Sequence, residues 1–193
     1  MFIYCLVNRI RDRHSGFHNV VNVFNFIAFQ LVWFISIFSA AANSSHYALL
    51  ATALFIIIQL ALSPWKKTDI KLILLGLSAG MLLDTVWLNL DLMNYIDKTF
   101  IHVAPWWIGC LWINFMLTLN HSLSWLQRKP VLLALLCIVA APLSYYAGSE
   151  AGAVSLNTPF LALAVVSISW ALWIPLLMQI ANHWRHKEET EHA

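Results

Sequence analysis

Asp84 has the most chemistry to explain, because it is a carboxylic acid set in a run of leucine, glycine and tryptophan. An ionisable group near the centre of a bilayer costs about 2.5–3.5 kcal/mol on insertion scales, so it should face protein or a water-filled cavity. There it can handle protons, hold a polar group of a ligand, or lock its helix to a neighbour. Gly76 and Gly80 precede it at four-residue spacing and offer a smooth face for close helix approach. A second pattern begins 26 residues on, where Cys110, Asn114, Thr118, His121 and Trp125 recur every three or four positions as one polar stripe. His121 is its ionisable member, and imidazole is the side chain suited to passing protons near neutral pH.

Depth sorts these groups into two layers. Asp84 lies about six residues from the end of its apolar run, about 9 Å deep at 1.5 Å per residue, and Cys110 and Asn114 match that level. Asn25 and Gln59, on two other runs, approach the level of His121. Gln30 and Ser167 fall between the layers. The candidate intramembrane site is therefore Asp84, Asn114, Cys110, Gln30, His121, Asn25, Gln59 and Thr118, with Asp84 expected to meet the stripe near Cys110 or Asn114. The inactive alternative for all of them is polar packing between helices, worth only about 0.6 kcal/mol per hydrogen bond.

Other chemistries find little support. GxSxG, HExxH, Walker and GxGxxG motifs are missing. Cys5, Cys110 and Cys137 are scattered without CxxC spacing. His14 and His18 at one end, and His183, His186 and His192 at the other, sit on charged, solvated tails without a firm set of further ligands. No metal and no cofactor is expected. A formal net charge of +2 gives no case for nucleic acid.

The elements that must position these residues follow from composition. Hydrophobic residues make up 61% of the 193 and charged ones 10%, against about a quarter charged in a soluble domain; mean hydropathy is +0.72. A span needs about 20 apolar residues, and in lipid each must satisfy its own backbone as a helix. Six segments qualify, near 20–42, 47–63, 70–90, 105–126, 131–147 and 158–180. Pro105, Pro130 and Pro159 stand where helices start, while Pro142 and Pro175 fall inside spans and should kink them. The loop from Asp91 to Ala104 is the longest, and its Leu92, Met93, Tyr95, Ile96 and Phe100 suggest that it lies along the outer interface.

Orientation follows from lysine and arginine. Arg9, Arg11, Arg13, Lys66, Lys67, Lys71, Arg128, Lys129, Arg185 and Lys187 fall on one side and Lys98 alone on the other, ten of the eleven basic residues. Both termini are expected in the cytoplasm: a basic segment at 1–19, a six-helix domain at 20–180 and a charged tail at 181–193. Ala40-Ala41-Ala42 resembles a signal-peptide cleavage site. The preceding run is too long for one, however, and carries Asn22, Asn25 and Gln30, so it reads as a retained span.

Certain stretches resemble a known family. Asn25-Phe26-Ile27-Ala28-Phe29-Gln30, Asp84 late in its span, Pro105-Trp106-Trp107 with Leu111-Trp112, and Thr118-Leu119-Asn120-His121-Ser122-Leu123-Ser124-Trp125-Leu126 are similar to a bacterial inner-membrane family. So are Pro142 to Gly148 and Gly152-Ala153-Val154. The family is known only as domain of unknown function twenty-eight seventy-eight. The resemblance covers about 22 to 180. It implies a bacterial inner-membrane protein with six helices and brings no activity; members tend to lie beside genes that modify membrane fatty acids.

The sequence thus predicts an all-α, polytopic membrane bundle of six transmembrane helices. Its leading function is that of an accessory or enzyme acting on a lipid or lipophilic small molecule through the polar layers. A small proton- or solute-coupled carrier and a structural partner in an envelope complex are the alternatives. Membrane lipids are the expected partners, and a protein partner stays open.

Overall fold

A computed structural model describes the backbone of residues 2–96 and 100–191, with side chains from Asn19 onward. His14, His18, His192, Cys5, Lys98 and the arginines at 9, 11 and 13 lie outside the described side chains. Among the described residues there are six α-helices: α1 Phe2–Ala41, α2 His46–Leu62, α3 Lys66–Asn89, α4 Trp106–Met116, α5 Pro130–Glu150 and α6 Pro159–Glu191. Pro130 and Pro159 are the first residues of their helices and Pro105 directly precedes α4, where a missing N–H costs nothing. Pro142 and Pro175 lie inside helices that continue through them.

Among the described residues four helices are long and apolar enough to cross a membrane: α1 over Asn19–Ala41, α3, α5 and α6. The others are shorter, α2 with 17 residues and α4 with 11, about 25 Å and 16 Å at helical rise. The bundle turns its leucines outward. Leu31, Leu50, Ile57, Leu74, Leu82, Leu135, Phe160 and Leu172 are all exposed, while Asn25, Gln59, Asp69, Asp84, Asn114 and His121 are buried. A protein that hides its amides and shows its leucines is matched to hydrocarbon rather than to water.

Neighbouring helices pair as α1 with α2, α3 with α4 and α5 with α6, and α4 also packs on α1 and α2. One end of the bundle carries Lys66, Lys67, Arg128, Lys129 and Arg185 and is called the basic end below. The other is closed by two short antiparallel strands, β1 Met93–Tyr95 and β2 Val154–Leu156, with Met93 opposite Leu156 and Tyr95 opposite Val154. Asp91 at φ 55 and Gly152 at φ 84 take the left-handed conformation that turns the chain into each strand.

Two expectations are corrected. The loop after α3 does not lie along the interface: Leu92, Met93 and Tyr95 are buried in the core, though Phe100 and Ile101 are exposed. Strand pairing aims alternate side chains inward there. Helices α1 and α6 extend into the basic and charged end segments, α1 from Phe2 and α6 to Glu191. The fourth segment is not one helix. It stops at Met116 and continues as tight turns with a single 3₁₀ turn at Ser124–Leu126.

Candidate functional site

The seat of Asp84 is built from four elements. On α3, Gly76 and Gly80 face α4 so closely that a Cβ at Gly80 would overlap the Trp112 ring, and one at Gly76 would stand 2.5 Å from Met116 Cγ. The indole of Trp112 therefore lies flat against α3 and donates from Nε1 to Asp84 Oδ2 at 2.6 Å. From β1, the Tyr95 hydroxyl donates to Asp84 Oδ1 at 2.6 Å, and from α5 the Tyr145 hydroxyl donates to the same oxygen at 2.7 Å. Asp84 is fully buried, so three donors replace the water it has lost. The Tyr95 phenol, which lies outside the spans, is pushed well above its ordinary pKa by burial first and then by the neighbouring carboxylate. It stays a donor.

Asp84 meets α4 at Trp112, not at Cys110 or Asn114 as expected. The reason is angular: at 100° per residue, Trp112 lies about 160° from both. Asn114 faces the other way, donating from Nδ2 to the Phe29 carbonyl of α1 at 3.1 Å, and the Cys110 thiol lies beside the Thr52 hydroxyl of α2. Trp112, Tyr95 and Tyr145 were missed because they read as core or interfacial aromatics; the polar tip of each was its only signal.

The stripe from Thr118 onward serves a different purpose. Where α4 ends, its last carbonyls need donors, and in a membrane they can be left only where protein covers them. Leu117, Thr118, Leu119, Asn120 and His121 are all buried. Thr118 Oγ1 donates to Phe115 O at 2.6 Å, Asn25 Nδ2 to Leu117 O at 3.1 Å, and Gln127 Nε2 to Leu119 O at 3.2 Å. Asn25 Nδ2 also donates to Gln59 Oε1 at 2.9 Å, and the Ser122 hydroxyl donates to Asn25 Oδ1 at 2.6 Å. Asn25, Gln59 and Thr118 thus come together as a polar plug around the broken helix. Local hydrogen bonding by Thr, Asn and Ser competes with helix and explains the break.

His121 is not paired with Asn25 or Gln59. Its Nε2 lies 3.0 Å and 3.2 Å from the two oxygens of Asp69, and both residues are buried. Trp65 packs 5.7 Å away, tilted over the imidazole, and Arg185 lies 5.2 Å over Trp65 from α6. Asp69 was missed because it stands among Lys66, Lys67 and Lys71 in the first turn of a helix, where an acid ordinarily faces water. Ser167 is spent on Leu163 O and Ile138 O.

Between α1, α4, α5 and α6 lies a cavity of about 710 Å³. Its wall includes Trp112 and Tyr145, so Asp84 sits directly behind it, together with Trp170, which stacks on Trp112 at 4.9 Å. Gln30 of α1 also lines it and is exposed. At the strand end α1 approaches α5: Trp33 Nε1 donates to Ser144 Oγ at 3.0 Å. Phe34, Phe38, Leu136 and Leu143 line the cavity while remaining exposed, so the opening is sideways, between helices. Among the described residues no charged one lines it.

The family model described as "Protein of unknown function (DUF2878)" matches residues 22–176. No curated protein matches the chain, and no solved structure does.

Proposed function

We propose a function from the site itself, because the chain belongs to the DUF2878 family, whose description assigns none: it is a multi-pass membrane protein that binds and acts on a lipid or lipophilic small molecule in the lateral cavity. The observation that carries this is that the cavity and the seat of the carboxylate share two side chains. A cavity of about 710 Å³ is of the size that holds small ligands, about 300–1,000 Å³. Its aromatic wall is the same Trp112 and Tyr145 that donate to Asp84. A ligand group that reached the Tyr145 hydroxyl would stand one hydrogen bond from the carboxylate, the arrangement a proton relay needs.

All six helices belong to the membrane domain in this reading. The basic end faces the cytoplasm of a bacterial inner membrane and the strand end faces outward. The broken α4 is the feature that would suit a carrier. Three of its freed carbonyls, those of Phe115, Leu117 and Leu119, are already taken by Thr118, Asn25 and Gln127, which favours the lipid reading.

The test is purification of the full chain in mild detergent with mass spectrometry of what comes with it. A lipophile near one per chain, depleted in Ala140→Phe, which fills the cavity from α5, is the expected result. An equal lipid profile for parent and variant would overturn the proposal.

A further inference from the structure

The basic end of the bundle brings two arginines within reach of each other's charge. Gln127 Nε2 donates to Asn120 Oδ1 at 2.8 Å, and Asn120 Nδ2 donates to Ala181 O at 3.1 Å. That relay ties the residue before Arg128 to the helical turn before Arg185. Arg128 is near enough for its like charge to act on Arg185, a placement that an anion between them would relieve.

Arg185 has donors to spare. Its side chain is 16% exposed, so little water screens it. Nη2 is spent on Asn182 Oδ1 at 3.1 Å. Nε is buried and stands 3.5 Å from Glu189 Oε1 with no hydrogen bond between them. The acids of this end are otherwise engaged: Asp69 with His121, Glu188 with the N–H groups of Lys67 and Thr68, Glu191 with Lys67, and Glu189 with His186 at 2.9 Å. Arg128 is exposed and has no acidic partner among the described residues. The pair keeps a positive charge that its neighbours do not cancel.

The chemistry selects phosphate. Guanidinium groups present planar forks of N–H donors that match phosphate oxygens. Arg128 stands two residues before Pro130, where α5 begins without a side-chain cap, and a helix start also draws an anion. Lys129 lies 5.4 Å over the exposed Trp125 ring and Lys71 lies 5.8 Å over Trp184. Tryptophans collect at the headgroup level of a bilayer, which is where lipid phosphates lie.

We infer that Arg128 and Arg185 form a binding site for a phosphate group at the basic end, carried by a lipid headgroup or free in solution. Neither residue lines the lateral cavity, so this site and the proposed function stand or fall separately.

The experiment takes the full chain in a neutral mild detergent at fixed ionic strength, because salt screens such binding. Native mass spectrometry compares phosphatidic acid and phosphatidylglycerol with diacylglycerol of the same acyl chains. Diacylglycerol measures what the lateral cavity takes without a phosphate. Titration calorimetry with inorganic phosphate forms the second arm. The phospholipids should bind in excess of diacylglycerol. Arg128→Gln and Arg185→Gln should each weaken that excess about ten- to a hundredfold, the loss of a hydrogen bond to a charged group. Lys187→Gln, exposed at the same end, should weaken it about fivefold at most, the effect of any basic residue near a headgroup. Arg128→Lys keeps the charge but not the fork and should fall between parent and Arg128→Gln. Arg128 is exposed, so its variants carry the test if Arg185→Gln fails to fold. Inorganic phosphate that binds the parent but not Arg128→Gln, with no phospholipid excess, supports the site and assigns it to a soluble ligand. Equal losses in Lys187→Gln and Arg128→Gln overturn the inference. So does a parent that shows neither a phospholipid excess nor bound phosphate.

Discussion

Replacing Gly80 by alanine tests whether close approach of α3 and α4 seats Asp84. On helix propensity alone the change should stabilise, by about 0.8–1.0 kcal/mol. The structure reverses the sign. The new Cβ would overlap the near end of the Trp112 indole, so the ring must retreat by more than about 1 Å to reach ordinary carbon contact of about 3.5–4.0 Å. That retreat breaks the 2.6 Å bond from Nε1 to Asp84 and disturbs the stack on Trp170. Overpacking costs about 1–3 kcal/mol, and a buried donor and acceptor left apart cost about 1–3 more. Less the propensity gain, the net loss should be about 1–5 kcal/mol, read as a lower midpoint of reversible unfolding in mixed micelles. Gly76→Ala meets the flexible Met116 side chain and should cost less. In Trp112→Phe, which has no ring N–H to lose, Gly80→Ala should cost less than in the parent. A Gly80→Ala protein as stable as the parent would refute the reasoning.

At Asp84 itself the two substitutions should separate. Leucine leaves the hydroxyls of Tyr95 and Tyr145 and the indole of Trp112 without an acceptor, at least about 2 kcal/mol at 0.6 per bond. Asparagine should stay within about 1 kcal/mol, because its oxygen can take Trp112 and its amide can donate to the tyrosine oxygens, with the Tyr95 proton turning to Met93 Sδ at 3.2 Å; equal midpoints for the two would contradict this. His121→Leu strands the buried Asp69 carboxylate and should cost about 3–5 kcal/mol, whereas His121→Gln can still donate to it and should unfold near the parent midpoint. Reporter fusions after Ser44 and Glu150 should be active outside the membrane and those after Lys67 and Lys187 inside it; the opposite pattern would end the proposed orientation.

Length and polarity made the helices legible. Apolar runs located the starts of α2 to α6 to within about four residues, and glycine spacing pointed to the face of α3 that carries Asp84. Partners were less legible, for two physical reasons. A stripe argument assumes that the helix continues, and the chain breaks at Met116 because Thr118 and Gln127, with Asn25 from α1, supply donors that a helix would have provided. The groups that hold Asp84 are tryptophan and tyrosine, which in a membrane sequence are read by their rings and not by the N–H or O–H at the tip. Asp69 shows the complementary error: flanked by lysines, it gives no sign that Trp65 and α6 will cover it.

The far part of α6 also sets the order in which the protein can be completed. Glu188 accepts from the backbone N–H groups of Lys67 and Thr68, at 3.1 Å and 2.8 Å, and so caps the start of α3; from the same helix Ala181 offers its carbonyl to Asn120 in the broken segment. These contacts join positions 121 and 120 residues apart for the cap, and 61 apart for Asn120. At synthesis rates of about 5–20 residues per second, α3 is in place roughly 6–24 s before the group that caps it exists. During that interval the first turn of α3 must find other acceptors for its N–H groups, in water or among headgroups, and the pocket around Asp69 and His121 lacks the wall formed by Arg185. The basic end is therefore the last part of the molecule to close.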